Sequence, residues 1–176
     1  GPAWLVNFSM AADTEGSIGY NGGWGAAQGP QGFFWGGTWI CAAQGTDNAN
    51  LVKDIMLKMT TDDDIMKDIV VDDDDFVNNS TVMNGMADGS IKVKDNKEYS
   101  SKILGGQNPL PMYCAGVETL DLSNLSAYDQ GCNEKIQAAF KDYFDGKVDE
   151  DTAKKNFEKA ITELYPNLEK VEWPSN

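Results

Sequence analysis

The spacing of apolar positions changes near residue 46. Before it, short apolar runs alternate with glycine-rich polar stretches; after it, apolar residues recur every three or four positions. In the first part, residues 2–10 form a short apolar element and residues 11–23 read as a Gly/Asp/Asn loop. Residues 22–27 and 33–43 are predicted as two strands separated by the Gly29-Pro30 turn. In the second part, Leu51, Val52, Ile55, Met56 and Met59 lie on one helical face that is expected to pack inward, behind a Thr46-Asp47-Asn48 start, and that helix is expected to end near Thr60. A second helix should follow at once, capped by Thr61 with Asp64 three residues on and buried along Ile65, Met66, Ile69 and Val70. Residues 80–86 read either as a short helix or as part of a connector. Asn108-Pro109-Leu110-Pro111 favours extended backbone, and residues 112–117 are expected to form a short strand. The end of the chain is better defined. Tyr128, Cys132, Ile136, Phe140 and Phe144 mark a helix that stops before Gly146, and Ala153, Phe157, Ile161 and Leu164 mark a last helix ending at Pro166. These two should pair as an antiparallel hairpin.

Charge and composition narrow what such a chain can do. Its 176 residues include fourteen lysines and no arginine or histidine, against 28 acidic residues, for a net charge of −14. Nucleic acid is disfavoured as a partner, because phosphates require clustered cations. Without His or Arg there is no Ser-His-Asp triad, Cys-His pair, His-ligated metal or guanidinium clamp. No run reaches the roughly 18 apolar residues of a membrane span. Cys41, Cys114 and Cys132 lack C-x-x-C spacing and read as free buried thiols; a Cys114–Cys132 bridge is the alternative in an oxidising compartment. The run Asp72-Asp73-Asp74-Asp75 lacks the alternating ligands, central glycine and closing glutamate of a calcium loop, and reads as a solvated loop. No metal or cofactor is expected.

The densest chemistry lies between Gly29 and Trp39, where four aromatic rings and four glycines share eleven residues. Flat rings beside glycine backbone suit a site for something flat and partly apolar, such as a sugar ring; a buried strand with core aromatics is the competing reading. Trp35 and Trp39, four residues apart, would share one strand face.

Taken in order, several features resemble the C-terminal half of an extracellular solute-binding protein of a carbohydrate ABC transporter. They are Gly1-Pro2-Ala3-Trp4, the Gly-rich stretch ending in Gly29-Pro30, Trp35-Gly36-Gly37-Thr38-Trp39, the helix over 50–60, and the final pair joined by Asp145-Gly146-Lys147. The resemblance implies an α/β chain, the helix-rich C-terminal part of a type II periplasmic-binding-protein-like fold with few strands and a closing helix pair. Residues 1–176 would then be one domain or fragment, with cleft-side strands and loops over 1–46 and a mostly helical remainder over 47–176. An N-terminal lobe, a signal peptide and a lipid anchor would precede Gly1, and membrane association would run only through that anchor.

By the same resemblance, the protein would bind a mono- or oligosaccharide by lobe closure and deliver it to a membrane permease, without catalysis, as a cell-surface lipoprotein or a periplasmic protein. Trp35, Gly36, Gly37 and Trp39 would line the cleft beside the hinge. Tyr128 and Asp129, at the start of the penultimate helix, would offer aromatic and polar contacts, and Trp4 is a further candidate. Each also has a packing explanation: Trp35 and Trp39 as core, Tyr128 as the first residue of a helical stripe, Asp129 as a helix N-terminal charge. Two other classes fit the residues less well. One is a surface module that binds carbohydrate or protein without transport. The other is a glycoside hydrolase using paired carboxylates, whose acids here fall mainly in runs suited to a solvated surface.

Overall fold

The computed structural model describes residues 3–33 and 37–174. Its regular structure is helical: α1 (Trp4–Met10), α2 (Ala49–Thr61), α3 (Asp63–Asp73), α4 (Ser80–Ala87), α5 (Leu110–Glu118), α6 (Asp129–Phe144) and α7 (Glu150–Leu164), with a 3-10 turn at Lys94–Asn96. By internal contacts the chain divides into two units, Gly1–Leu120 and Asp121–Asn176.

The first unit is built on the apolar stripe of α3. Met66 and Val70 are buried with Val82, Met83 and Met86 of α4, Leu110 of α5, and the ring of Tyr99. Three of these seven side chains are methionines, whose unbranched flexibility fills the irregular space where three short helices meet. Two of these helices, α3 and α4, start on a side-chain cap. Asp62 Oδ1 accepts the N–H groups of Asp64 and Ile65, both at 3.1 Å. The cap of α3 is therefore Asp62 and not Thr61, whose hydroxyl bonds back to Leu57 O and completes α2. Asn79 caps α4 by accepting from Val82 N at 3.0 Å, so residues 80–86 belong to a helix.

Where strands were expected, the described residues contain none; the only pairing among them is an isolated antiparallel bridge between Val93 and Lys97. Residues 112–117 are helical because Pro111 sits in the first turn of α5, where no intrahelical N–H is needed. Asn108 Oδ1 meanwhile accepts from Leu110 N at 3.0 Å and supplies the start signal. Residues 22–27 have no partner strand. The side-chain amide of Gln107 takes that place, accepting from Ala26 N and donating to Ala26 O, each at 2.8 Å. Further on, Gly32 N donates to Thr119 Oγ1 at 3.3 Å, and a Cβ on Gly32 would run into the Gly116 carbonyl at the end of α5. Two side chains thus hold this stretch locally, and no ladder propagates. Of the second expected strand, residues 34–36 lie outside the described residues, and 37–43 carry no regular structure.

The second unit is the hairpin of α6 and α7. Tyr128, at the start of α6, packs edge-on against Tyr165 after α7 with centroids 4.9 Å apart, which fixes the antiparallel sense. Ala153, Phe157 and Ile161 are buried along α7. Gly131 lets the helices close, since a Cβ there would meet the Tyr165 hydroxyl and the Leu164 side chain. Asp149 caps α7 by accepting from Thr152 N at 2.8 Å. Trp173 folds back onto Phe157 and Phe140, with its indole N–H on Glu158 at 2.7 Å.

Candidate functional site

A cavity of about 420 Å³ lies in the first unit and is lined by Trp4, Asn7, Asp72, Asp73, Asp74, Asp75 and Ile103. Three local features assemble it. The helix α1 presents Trp4 and Asn7 on the same side, one turn apart, and ends at Ala11, whose left-handed backbone (φ 50°) turns the chain away. The acidic run, read from sequence as a solvated loop, is instead half helix: Asp72 and Asp73 are the last turn of α3, and Asp74 is its C-cap with φ 54°. Ile103 comes from the loop before α5.

Four carboxylates at a helix C-terminus are electrostatically awkward, because the helix dipole is negative there. Two of them are met by neutral donors. The Trp4 indole N–H donates to Asp75 Oδ1 at 3.0 Å, and the Phe76 N–H reaches the same oxygen at 2.8 Å. The Tyr99 hydroxyl, on a ring only 4% exposed, donates to Asp74 Oδ1 at 2.7 Å. Burial first, and then the hydrogen bond to Asp74, push the Tyr99 phenol far above its ordinary pKa, so it remains a donor. Asp72 and Asp73 are exposed and point no carboxylate at a described partner. Asn7 spends its Oδ1 on Asp13 N at 3.1 Å. No lysine lines the cavity. The wall is therefore rich in hydrogen-bond acceptors, short of donors, and flanked by one indole.

Of the described residues that the sequence offered as ligand contacts, Trp4 alone lines this cavity. Trp35 and Gly36 lie outside the described residues. Trp39 is 82% exposed, and Gly37 has open space where a Cβ would stand. Both are absent from the cavity wall. Tyr128 and Asp129 belong to the second unit and are engaged there: the Tyr128 hydroxyl accepts from Asn167 Nδ2 at 2.6 Å. Asp129 accepts from the Ser126 hydroxyl and backbone N–H at 2.7 and 3.0 Å, which hold its carboxyl below the usual range. Asn7, Asp74, Asp75 and Tyr99 were not singled out as site residues. The acidic run was visible, but the groups that organise it lie 25 and 71 residues away, and no local signal announces them.

Cys41, Cys114 and Cys132 are free thiols but, contrary to expectation, not buried: Cys41 is exposed and the other two are half-buried. Among the described residues, no group of three Cys, Asp or Glu side chains is placed to hold a metal ion, and no helix is long and apolar enough to cross a membrane.

The described residues thus define a helix-rich protein with an open, acceptor-lined acidic cavity beside one tryptophan. No family model matches the chain, and no curated protein or solved structure does so either.

Proposed function

We propose that this protein binds a carbohydrate, and that the cavity between α1 and the end of α3 takes part in that binding. A sugar is a dense array of hydroxyl donors around an apolar C–H face. The cavity offers the complement: carboxylates that accept, and an indole held by its own N–H on Asp75. That combination of one fixed ring and unmatched acceptors in about 420 Å³ is the observation that supports the reading. The resemblance to carbohydrate solute-binding proteins supplies the rest of the proposal: an extracellular protein that captures a mono- or oligosaccharide by lobe closure and passes it to a membrane permease, with no catalytic step. Under that resemblance Trp39 and its neighbours in 35–37, with Tyr128 and Asp129, would add contacts.

The test is a panel of mono- and oligosaccharides followed by titration calorimetry and thermal unfolding. A sugar at a hundred times its Kd should stabilise the protein by about 2.7 kcal/mol. Trp4→Phe, which keeps a ring but removes the donor to Asp75, should weaken that binding and reduce any change in indole fluorescence. If no sugar produces heat or stabilisation, carbohydrate binding is wrong. If a sugar binds equally well to wild type and Trp4→Phe but not to Trp39→Ala, the cavity assignment is wrong and the glycine-aromatic stretch carries the site.

A further inference from the structure

The chain contains two Asn-Gly pairs in opposite settings. Asn84-Gly85 lies inside α4, where Gly85 is buried against the Ile91 side chain and its carbonyl accepts from Ile91 N at 2.8 Å. Asn21-Gly22 lies at the end of a series of tight turns, closed by Thr14 N on Ala11 O, Ser17 N on Thr14 O and Tyr20 N on Ser17 O. Asn21 is exposed, adopts left-handed backbone with φ 60°, and its carboxamide makes no hydrogen bond among the described residues. Gly22, with φ 85°, has no side chain to shield its amide nitrogen. Its backbone packs closely on another glycine: a Cβ on Gly22 would come within 2.7 Å of Gly105 Cα.

We propose that Asn21 is a site of spontaneous, non-enzymatic deamidation, and that its isoaspartyl product breaks the Gly22–Gly105 contact. The Gly22 amide nitrogen loses its proton to base and attacks Asn21 Cγ. A C–N bond forms, the Cγ–NH₂ bond breaks, and ammonia leaves a five-membered succinimide. Water then opens the ring at either carbonyl, giving aspartate or isoaspartate. The balance is one water consumed and one ammonia released, with no oxidant or cofactor, and the net charge becomes more negative by one. Isoaspartate routes the main chain through the former side-chain methylene and so inserts one extra atom beside Gly22. The loop it abuts is tightly closed: Gly106 N donates to Ser101 O at 2.8 Å, Ser101 N to Gln107 O at 2.9 Å, and Gln107 N to Leu104 O at 3.1 Å. The same loop carries Ile103 of the cavity wall.

Folded protein held in mildly alkaline buffer, digested and mapped by mass spectrometry with isoaspartate detection, tests both parts. Asn21 should convert at least about tenfold faster than Asn84, whose helix must first open locally, and the ratio should collapse in urea. Amide exchange at Gly106 and Gln107 should rise in the isoaspartyl form but not in the Asn21→Asp variant, which carries the same charge on a normal backbone. Equal rates at Asn21 and Asn84 in the folded protein, or an Asn21 that persists while the urea-unfolded chain converts, would overturn the assignment. Equal exchange in all three forms would overturn the effect on the Gly105 loop.

Discussion

Replacing Tyr99 by phenylalanine isolates one hydrogen bond that joins the core to the acidic cavity. The ring stays, so no packing volume is lost beyond the hydroxyl, and the Met66/Val70/Met83 core around it should be undisturbed. What disappears is the 2.7 Å donor to Asp74, a half-buried carboxylate on left-handed backbone at the end of α3. Hydrogen bonds to charged groups contribute about 1.5–3 kcal/mol, and partial exposure of Asp74 favours the lower end, so Tyr99→Phe should cost about 1.5 kcal/mol in urea unfolding. A double-mutant cycle with Asp74→Asn should return most of that as coupling. The pH dependence has a definite sign. The folded-state pKa of Tyr99 is raised by burial and by Asp74, so its contribution is fully present below the unfolded tyrosine pKa of about 10 and is lost as pH rises through that value toward the folded pKa. Wild type should therefore lose stability in alkali more steeply than Tyr99→Phe. Tyr113, also raised by burial, should leave the variant a smaller alkaline loss of its own. A loss below about 0.3 kcal/mol, no coupling to Asp74, or identical alkaline slopes would refute the account.

Three further expectations concern helix ends and the hairpin core. Asp62→Ala removes the acceptor for two N–H groups of α3 and should cost about 1 kcal/mol by denaturant titration, whereas Thr61→Ala should cost less because Thr61 does not cap. Ile161→Ala, at a position 1% exposed on α7, should destabilise the hairpin by about 2–5 kcal/mol, read as lost helical dichroism on heating. The Asp149 carboxyl is held below its ordinary value by hydrogen bonding from Thr152. Its support of α7 should therefore be present above the unfolded aspartate pKa and disappear as pH falls through the folded one, with Asp149→Asn flattening that acid limb.

Helix periodicity was readable wherever the buried face is set by neighbours three and four residues away. The stripe of Met66 and Val70 and that of Phe157 and Ile161 appear in the fold as the spacing predicts, whereas the face of α2 expected to pack inward does not: Leu51, Ile55 and Met59 are exposed and α2 buries no residue. The cap of α3 missed by one residue because Thr61 and Asp62 both carry capping oxygens, and only the fold reveals that Thr61 is already committed to Leu57. The strand expected over 112–117 failed for a different reason. The prolines of Asn108-Pro109-Leu110-Pro111 were read as imposing extended backbone, although at the second position of a helix Pro111 removes a donor that has no intrahelical partner.

The cavity shows where local reading runs out. A run of four aspartates is, by composition, a solvated surface, and two of the four are indeed exposed. The other two become site-like only because the indole of residue 4 and the phenol of residue 99 converge on them. Such donors are inconspicuous in the sequence, being one tryptophan and one tyrosine among many aromatics, yet they decide which carboxylates are fixed in direction and which are left without such a donor. Directional acceptors distinguish a recognition surface from a merely acidic one, since a ligand hydroxyl gains from a carboxylate only where the oxygen is already oriented. Tyr99 and Trp4 should therefore differ in what their loss does. Without the Tyr99 hydroxyl, Asp74 should lose its orientation, and the proposed carbohydrate binding should weaken while the indole remains in place. Without the Trp4 N–H, the ring loses its anchor while Asp75 keeps the Phe76 N–H, and a ligand that relies on the stacked face should lose more affinity than one that relies on the carboxylates alone.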